Sequence, residues 1–247
     1  GTLLPLGQRA GSLSEKMAGL LGLPPGIAIG VAQLDGHAAL PALGICGPGK
    51  AMLALGTSTA VILAHPEKKY VEGACSITED GNLPGQYAYG SGQYCAGDLF
   101  EWFVSRCVPA AYEAEAARRG MNIHALLSQK AAAFRPGESG LIALEWWNGN
   151  RSVLANTDLT GLVLGMTLRT APEEIYRALM EAVAFGIRRI LDAYQASGIP
   201  IDELYACGGI PDKNPLMMQI LSDVTGRRIR ISRIGFAPAI GAAMLAA

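Results

Sequence analysis

Apolar positions change period along this chain, and each change marks an element. Ile175, Leu179, Val183, Ile187 and Leu191 recur at the spacing of one helical face, which predicts a long helix to about Ala196. Thr170-Ala171-Pro172-Glu173 opens it with the spacing of a capping box, and Gly198 ends it. Two uninterrupted apolar runs, Ala51 to Leu55 and Thr59 to Ala64, flank Gly56-Thr57-Ser58. They predict a β-hairpin with a small, hydroxyl-rich tip. Leu204 to Cys207 is a short apolar run ending in Gly208-Gly209. Asn214-Pro215 then opens an amphipathic stretch that stops at Gly226, so the order is strand, tight turn, helix.

Weaker patterns fill the intervals. A helix is predicted from Ser14 to Leu21, capped by Ser12 or Ser14, then a strand at Ile27 to Ala32 and a helix or turn at Ala38 to Leu43. Helices are predicted over Asp98 to Val108, Ala110 to Arg119 and Ile123 to Phe134, the last capped by Asn122. Leu141 to Trp147 reads as a strand and Asn148-Gly149 as a turn. Residues 65–97 are rich in Gly, Pro and polar residues, a long weakly patterned stretch of the kind that is often functional, and residues 150–168 read mostly as loop. A strand, Arg228 to Ser232, and a small-residue helix from Pro238 close the chain. Strands interleaved with helices place the chain in the α/β class.

Composition narrows the partners. Of 247 residues, half are hydrophobic and 17% are charged, enough to bury a large core. A net charge of −1 favours neither nucleic acid nor an acidic membrane surface. No apolar run is long enough to span a bilayer, and no basic-then-apolar leader opens the chain; a cytoplasmic protein is expected. The five cysteines are dispersed and without C-x-x-C spacing, so reduced, partly buried thiols are expected. With three scattered histidines they form no zinc-ligand cluster, and no residue is assigned as a metal ligand. Asn150-Arg151-Ser152 is a chance match to a glycosylation sequon.

Three separated segments carry residue types suited to phosphoryl transfer. Asp35, in Leu34-Asp35-Gly36-His37, can accept the proton of a nucleophilic hydroxyl, although Asp-Gly is also a common turn. Amides and hydroxyls of Gly56-Thr57-Ser58 can hold phosphate oxygens, or simply form a polar hairpin turn. Gly208 and Gly209 let a ligand approach the backbone ahead of a helix start, as does many an ordinary β–α turn. None of these is a Walker A loop: Gly47-Pro48-Gly49-Lys50 is followed by Ala51.

In order along the chain, these segments resemble the carboxy-terminal part of the FGGY family of carbohydrate kinases. Leu34-Asp35-Gly36-His37-Ala38 resembles the family's Asp-Ala-His segment, and Leu55-Gly56-Thr57-Ser58-Thr59 its second phosphate loop. Ser91-Gly92-Gln93 with Gly97-Asp98, and the long Leu144-Glu145-Trp146-Trp147-Asn148-Gly149-Asn150-Arg151-Ser152, resemble members that act on L-ribulose. Gly161 with Gly165-Met166-Thr167-Leu168 continues the match. Gly208-Gly209 through Asn214-Pro215, with Ser222-Asp223 and Gly226, resembles the adenosine loop and helix.

The resemblance implies an actin-like, ribonuclease-H-like ATPase fold, with a mixed sheet flanked by helices. It implies ATP and Mg2+ as cofactors and a ketopentose phosphorylated at its terminal hydroxyl. Asp35 would then be the general base, with Gly56, Thr57 and Ser58 near the outer phosphates. Gly208 and Gly209 would lie along the adenosine and α-phosphate, and Lys213 and Asn214 near the adenine. Residues 1–36 would be the end of an amino-terminal sugar-binding domain, and residues 37–247 a nucleotide-binding domain truncated at its end. The family's first phosphate loop, Asp-x-Gly-Thr, is absent, so the partner of this chain would be its own missing amino-terminal domain, and the piece alone would be inactive. A homo-oligomer is compatible with the family. Tyr89-Gly90-Ser91-Gly92-Gln93 has Gly90 where the L-ribulose members carry a glutamate. That leaves open another ketose or polyol, such as D-ribulose, xylulose or glycerol, or a non-catalytic nucleotide-binding module.

Overall fold

A computed structural model describes residues 4–246. The chain begins with β1 (Arg9–Ser12), α1 (Glu15–Leu21) and β2 (Ala28–Gly30), with β1 and β2 paired antiparallel. Ser14 caps α1 by accepting from the Met17 amide, and Gly22 closes it in the left-handed conformation. Then come α2 (Asp35–Ala42), β3 (Gly49–Leu55), β4 (Thr59–His65), β5 (Ser76–Glu79) and β6 (Tyr87–Gln93). Three helices follow, α3 (Gly97–Cys107), α4 (Ala110–Arg118) and α5 (Ile123–Ala131), then the small hairpin β7 (Ile142–Leu144) and β8 (Leu162–Leu164). The chain ends with α6 (Pro172–Ala196), β9 (Ile201–Cys207), α7 (Gly209–Lys213), α8 (Pro215–Thr225), β10 (Arg228–Ile231) and α9 (Ala237–Ala246).

Six strands form one mixed sheet in the order β10-β9-β3-β4-β6-β5. β10, β9 and β3 run parallel, and β3, β4, β6 and β5 are successively antiparallel. Both faces are covered, which is why the central strands read as unbroken apolar runs. Ala51, Leu53 and Leu55 of β3 face one way, with Val61 and Leu63 of β4 and Leu204 and Ala206 of β9, onto a large core under α3, α6 and α8. Met52 and Ile62, cross-strand partners, face the other way onto Leu40 and Leu43 of α2 and Ala237 of α9. Burying each such side chain contributes about 1.5–3 kcal/mol. Gly241 of α9 sits so close to Ala38 of α2 that a Cβ would strike the Ala38 carbonyl, which explains a terminal helix made of small residues.

Several expectations are corrected. The weakly patterned residues 65–97 hold two strands, β5 and the buried β6. β6 gave no signal because its glycines sit where side chains would collide, Gly92 on the Thr59 carbonyl and Gly90 on Ser76 Oγ, 2.6 Å from an added Cβ. β8, within residues 150–168, is likewise a strand rather than loop. The strand at 141–147 shrinks to β7, and Trp146 and Trp147 lie beyond it in a turn rather than alternating across a strand. Trp147 stacks against Trp102 of α3 at 5.3 Å, and Gly161 makes room for its ring. The cap of α6 is one residue later than expected: Glu174 Oε2 accepts from the Ala171 amide at 2.6 Å, and Ala171 is the N-cap. α7 intervenes between Gly208 and the helix that Asn214 caps. The cysteines are all free, but Cys46, Cys75 and Cys107 are exposed rather than partly buried.

Candidate functional site

The hairpin tip between β3 and β4 is docked on the start of α3. Gly97 and Ala96 amides donate to the carbonyls of Gly56 and Thr57 at 2.9 Å, and a Cβ on Gly97 would lie 2.7 Å from the Gly56 oxygen. Asp98 Oδ1 accepts from the Ala96 and Leu99 amides at 3.0 and 2.8 Å, which holds this corner rigid. Gly56 N donates to Ser58 O at 3.0 Å. The amides and hydroxyls of Thr57 and Ser58 make no hydrogen bond among the described residues, so they present four free donors at the tip.

The second wall is the turn after β9. Gly208 has φ +105°, and a Cβ there would run into the backbone of Leu55 at the end of β3. Only glycine fits that crossing. Gly209 has open space around it and begins α7. Asn214 caps α8 through Oδ1, accepting from Met217 N at 3.0 Å, while its Nδ2 donates to Ser128 Oγ of α5 at 3.2 Å. That bond ties the turn to the helical layer.

Between the two walls lies a cleft of about 560 Å3, in the size range of small-ligand sites. Gly56, Thr57, Gly209, Lys213 and Asn214 line it, from segments 150 residues apart in sequence. Gly208 lies behind the lining and sets the approach of β9 to β3, and Ser58 completes the hairpin turn without lining the cleft. Sequence reasoning missed Asp98, Glu101, Ser128 and Tyr176, which also line it. His124 lines it as well: its ring is held between Tyr176 OH at 3.0 Å and Glu101 Oε2 at 3.2 Å. Asp98 was visible only as half of the Gly97-Asp98 pair. The others sit on helix faces whose periodicity reports packing, not a ligand. Burial pushes the Tyr176 hydroxyl well above the usual tyrosine range, so it stays a neutral donor.

Asp35 stands apart from this cleft. It is the exposed first residue of α2, and Oδ1 accepts from its neighbour's amide at 2.7 Å. Its flanks are anchored: Gln33 Nε2 donates to the carbonyls of Gly81 and Asn82 at 2.7 and 3.2 Å, and His37 Nδ1 donates to Gly81 O at 3.2 Å. The carboxylate is therefore held outward on a fixed turn.

A buried polar chain runs away from the hairpin. Thr59 Oγ1 donates to Gln93 Oε1 at 2.9 Å, and Gln93 Nε2 donates to Glu145 Oε1 at 2.9 Å and to the Val183 carbonyl at 3.1 Å. Burial raises the Glu145 carboxyl above the usual range, against hydrogen bonds from Gln93 and Trp146 that lower it. Burial, with Asp98 nearby, pushes the Cys95 thiol up to about 11, so it is an inert core group.

Residues 51–247 match the model of the C-terminal domain of the FGGY family of carbohydrate kinases. The chain belongs to this family. Similar FGGY proteins include a ribulokinase of Anoxybacillus flavithermus, 55% identical over the whole of this chain, and one of Geobacillus thermodenitrificans, 54% identical. The chain spans 44% of the length of each. Among solved structures, a xylulose kinase from Rhodospirillum rubrum superposes with a TM-score of 0.84 at 26% identity, over 98% of this chain and 47% of that one. A Plasmodium falciparum glycerol kinase with ADP superposes at 0.73 and 23% identity, over 94% of this chain and 44% of that one, a likeness of fold. The fold is thus the actin-like ATPase fold of FGGY sugar kinases, with its mixed sheet flanked by helices.

Proposed function

We propose that this chain is the nucleotide-binding part of an ATP-dependent carbohydrate kinase that phosphorylates the terminal hydroxyl of a ketopentose, L-ribulose. The observation that carries the reading is the single cleft into which the fold brings Gly56 and Thr57, Asp98, and the Gly209–Asn214 turn. Free donors on Thr57 and Ser58 suit the outer phosphates, where negative charge develops during transfer. The turn from Gly208 to Asn214 suits the adenosine end, with Lys213 and Asn214 beside the base. Magnesium would supply charge neutralisation between the phosphates. No group of three or more potential ligands is assembled among the described residues, so the ion would be held mainly by the phosphates, with Asp98 the carboxylate at the tip.

Asp35 fits the role of general base because its carboxylate is exposed on an anchored turn outside the nucleotide cleft, where a sugar held by a facing domain can meet it. Residues 1–36 would be the end of that sugar-binding domain, with Asp35 at its junction with the nucleotide domain of residues 37–247, in a cytoplasmic enzyme. Asp35→Asn in the protein that carries this chain should lower turnover about 100-fold or more with little change in nucleotide affinity. A variant retaining near wild-type turnover would remove Asp35 from the mechanism.

Gly90 favours a second reading, a kinase for another ketose or polyol. A Cβ at this buried position would lie 2.6 Å from Ser76 Oγ, so a sugar-contacting glutamate there would need Ser76 to turn away. Relative kcat/KM values on L-ribulose, D-ribulose, xylulose and glycerol decide between them.

A further inference from the structure

A second cavity, of about 220 Å3, shares no lining residue with the nucleotide cleft. At 220 Å3 against 560 Å3 for the nucleotide cleft, it suits a smaller ligand, of monosaccharide size. Its wall includes Gln93 and Glu145, both only 5% exposed and joined by the 2.9 Å bond that continues to Thr59. Trp146 and Phe185 add aromatic surface, and Phe185 is 58% exposed although it sits on the helix that packs the main core. Arg151 and Arg189 also line the cavity and are exposed. The Arg189 guanidinium has only a distant acidic neighbour, Asp192 at 3.9 Å.

These groups form one pattern. Aromatic faces cover the C–H faces of a sugar ring, a buried carboxyl accepts from or donates to ring hydroxyls, and two guanidiniums bind a phosphate in the fork geometry that suits it. We propose that this cavity, between the Glu145–Leu154 turn and the middle of α6, is a binding site for a phosphorylated monosaccharide, distinct from the nucleotide cleft. Glu145, held in place by Gln93, binds hydroxyls at its polar wall, Trp146 and Phe185 pack on the ring, and Arg151 with Arg189 bind the phosphate. Because Gln93 also bonds Thr59, the first residue of β4, an occupant touches the network that supports the hairpin tip.

The test is calorimetric titration of the protein that carries this chain with ribose 5-phosphate, ribose and inorganic phosphate. Any binding of these probes at the catalytic cleft is common to wild type and to variants of this cavity, so the difference reports the cavity alone. Arg151→Ala/Arg189→Ala, and separately Phe185→Ala, should each weaken ribose 5-phosphate binding at least 10-fold while leaving turnover intact. All three residues are exposed, so the variants keep the core. Leu154→Trp, which fills the cavity mouth, should abolish the same binding event. Identical isotherms for wild type and these variants overturn the proposal. So does ribose or inorganic phosphate binding as tightly as the sugar phosphate. Loss of turnover in Asp35→Asn bears on the kinase reading alone, so the two can fail separately.

Discussion

At the scale of single residues, backbone geometry and burial decide what each side chain can do. Gly208 is the sharpest case, with its positive φ and its crossing over Leu55. Gly208→Ala should destabilise the fold by about 1–3 kcal/mol and weaken nucleotide binding, seen as a lowered urea midpoint and a raised Kd for ATP. Gly209, with open space around it, should accept alanine at far smaller cost in stability; equal losses at both positions would contradict the geometry. Glu145 predicts a pH dependence. Its folded pKa lies above the ordinary value of 4.5, so the stability it contributes is full below pH 4.5 and is lost as pH rises through the raised value. Glu145→Gln keeps an acceptor for Gln93 and has no proton to lose. Its stability should therefore fall less than that of wild type as pH rises from 4.5 through the raised value. Parallel curves for the two proteins in urea titrations would exclude this.

At the scale of elements, the helix termini hold the site together. Asn214 caps α8 and reaches Ser128 on α5, so one side chain joins a local cap to a long-range contact. Asn214→Ala should cost about 0.5–2 kcal/mol and also weaken ATP binding, whereas Ser14→Ala, at the exposed cap of α1, should cost stability alone. Thermal denaturation with and without ATP separates the two effects. The β3–β4 hairpin depends on Thr59: Thr59→Val leaves Gln93 Oε1 without its donor inside the core, a loss of about 1–3 kcal/mol. Thr59→Ser, which keeps the hydroxyl, should recover most of it.

At the scale of the whole molecule, the sheet presents two unlike faces. One is buried under α3, α6 and α8, and the other under the thinner layer of α2 and α9. Asp35 starts α2 on the thin side, and the nucleotide cleft opens at the strand ends on the thick side. In the proposed reaction a facing body would bring a sugar hydroxyl to Asp35 and the terminal phosphate together. These 247 residues span 44% of the length of the ribulokinases they match, and by themselves should bind ATP but release no ADP with any sugar. Coupled ADP detection on the isolated chain checks this; sustained turnover would refute it.

The sequence by itself determined the elements whose side chains repeat at a regular period. The long helix α6, the hairpin β3–β4, and the strand–turn–helix from β9 to α8 follow from burial that is uniform along one face or both. The residues it marked for a site, Gly56, Thr57, Lys213 and Asn214, line one cleft in the fold. Only the tertiary structure decided β6, because a strand whose packing demands glycine shows no hydrophobic period. The same holds for the helix-borne cleft wall of Glu101, His124, Ser128 and Tyr176. These residues are brought to the hairpin tip by the packing of α3, α5 and α6, and nothing in local sequence encodes a meeting between helices. Short-range period is written in the chain, whereas convergence of distant segments is a property of the packed core.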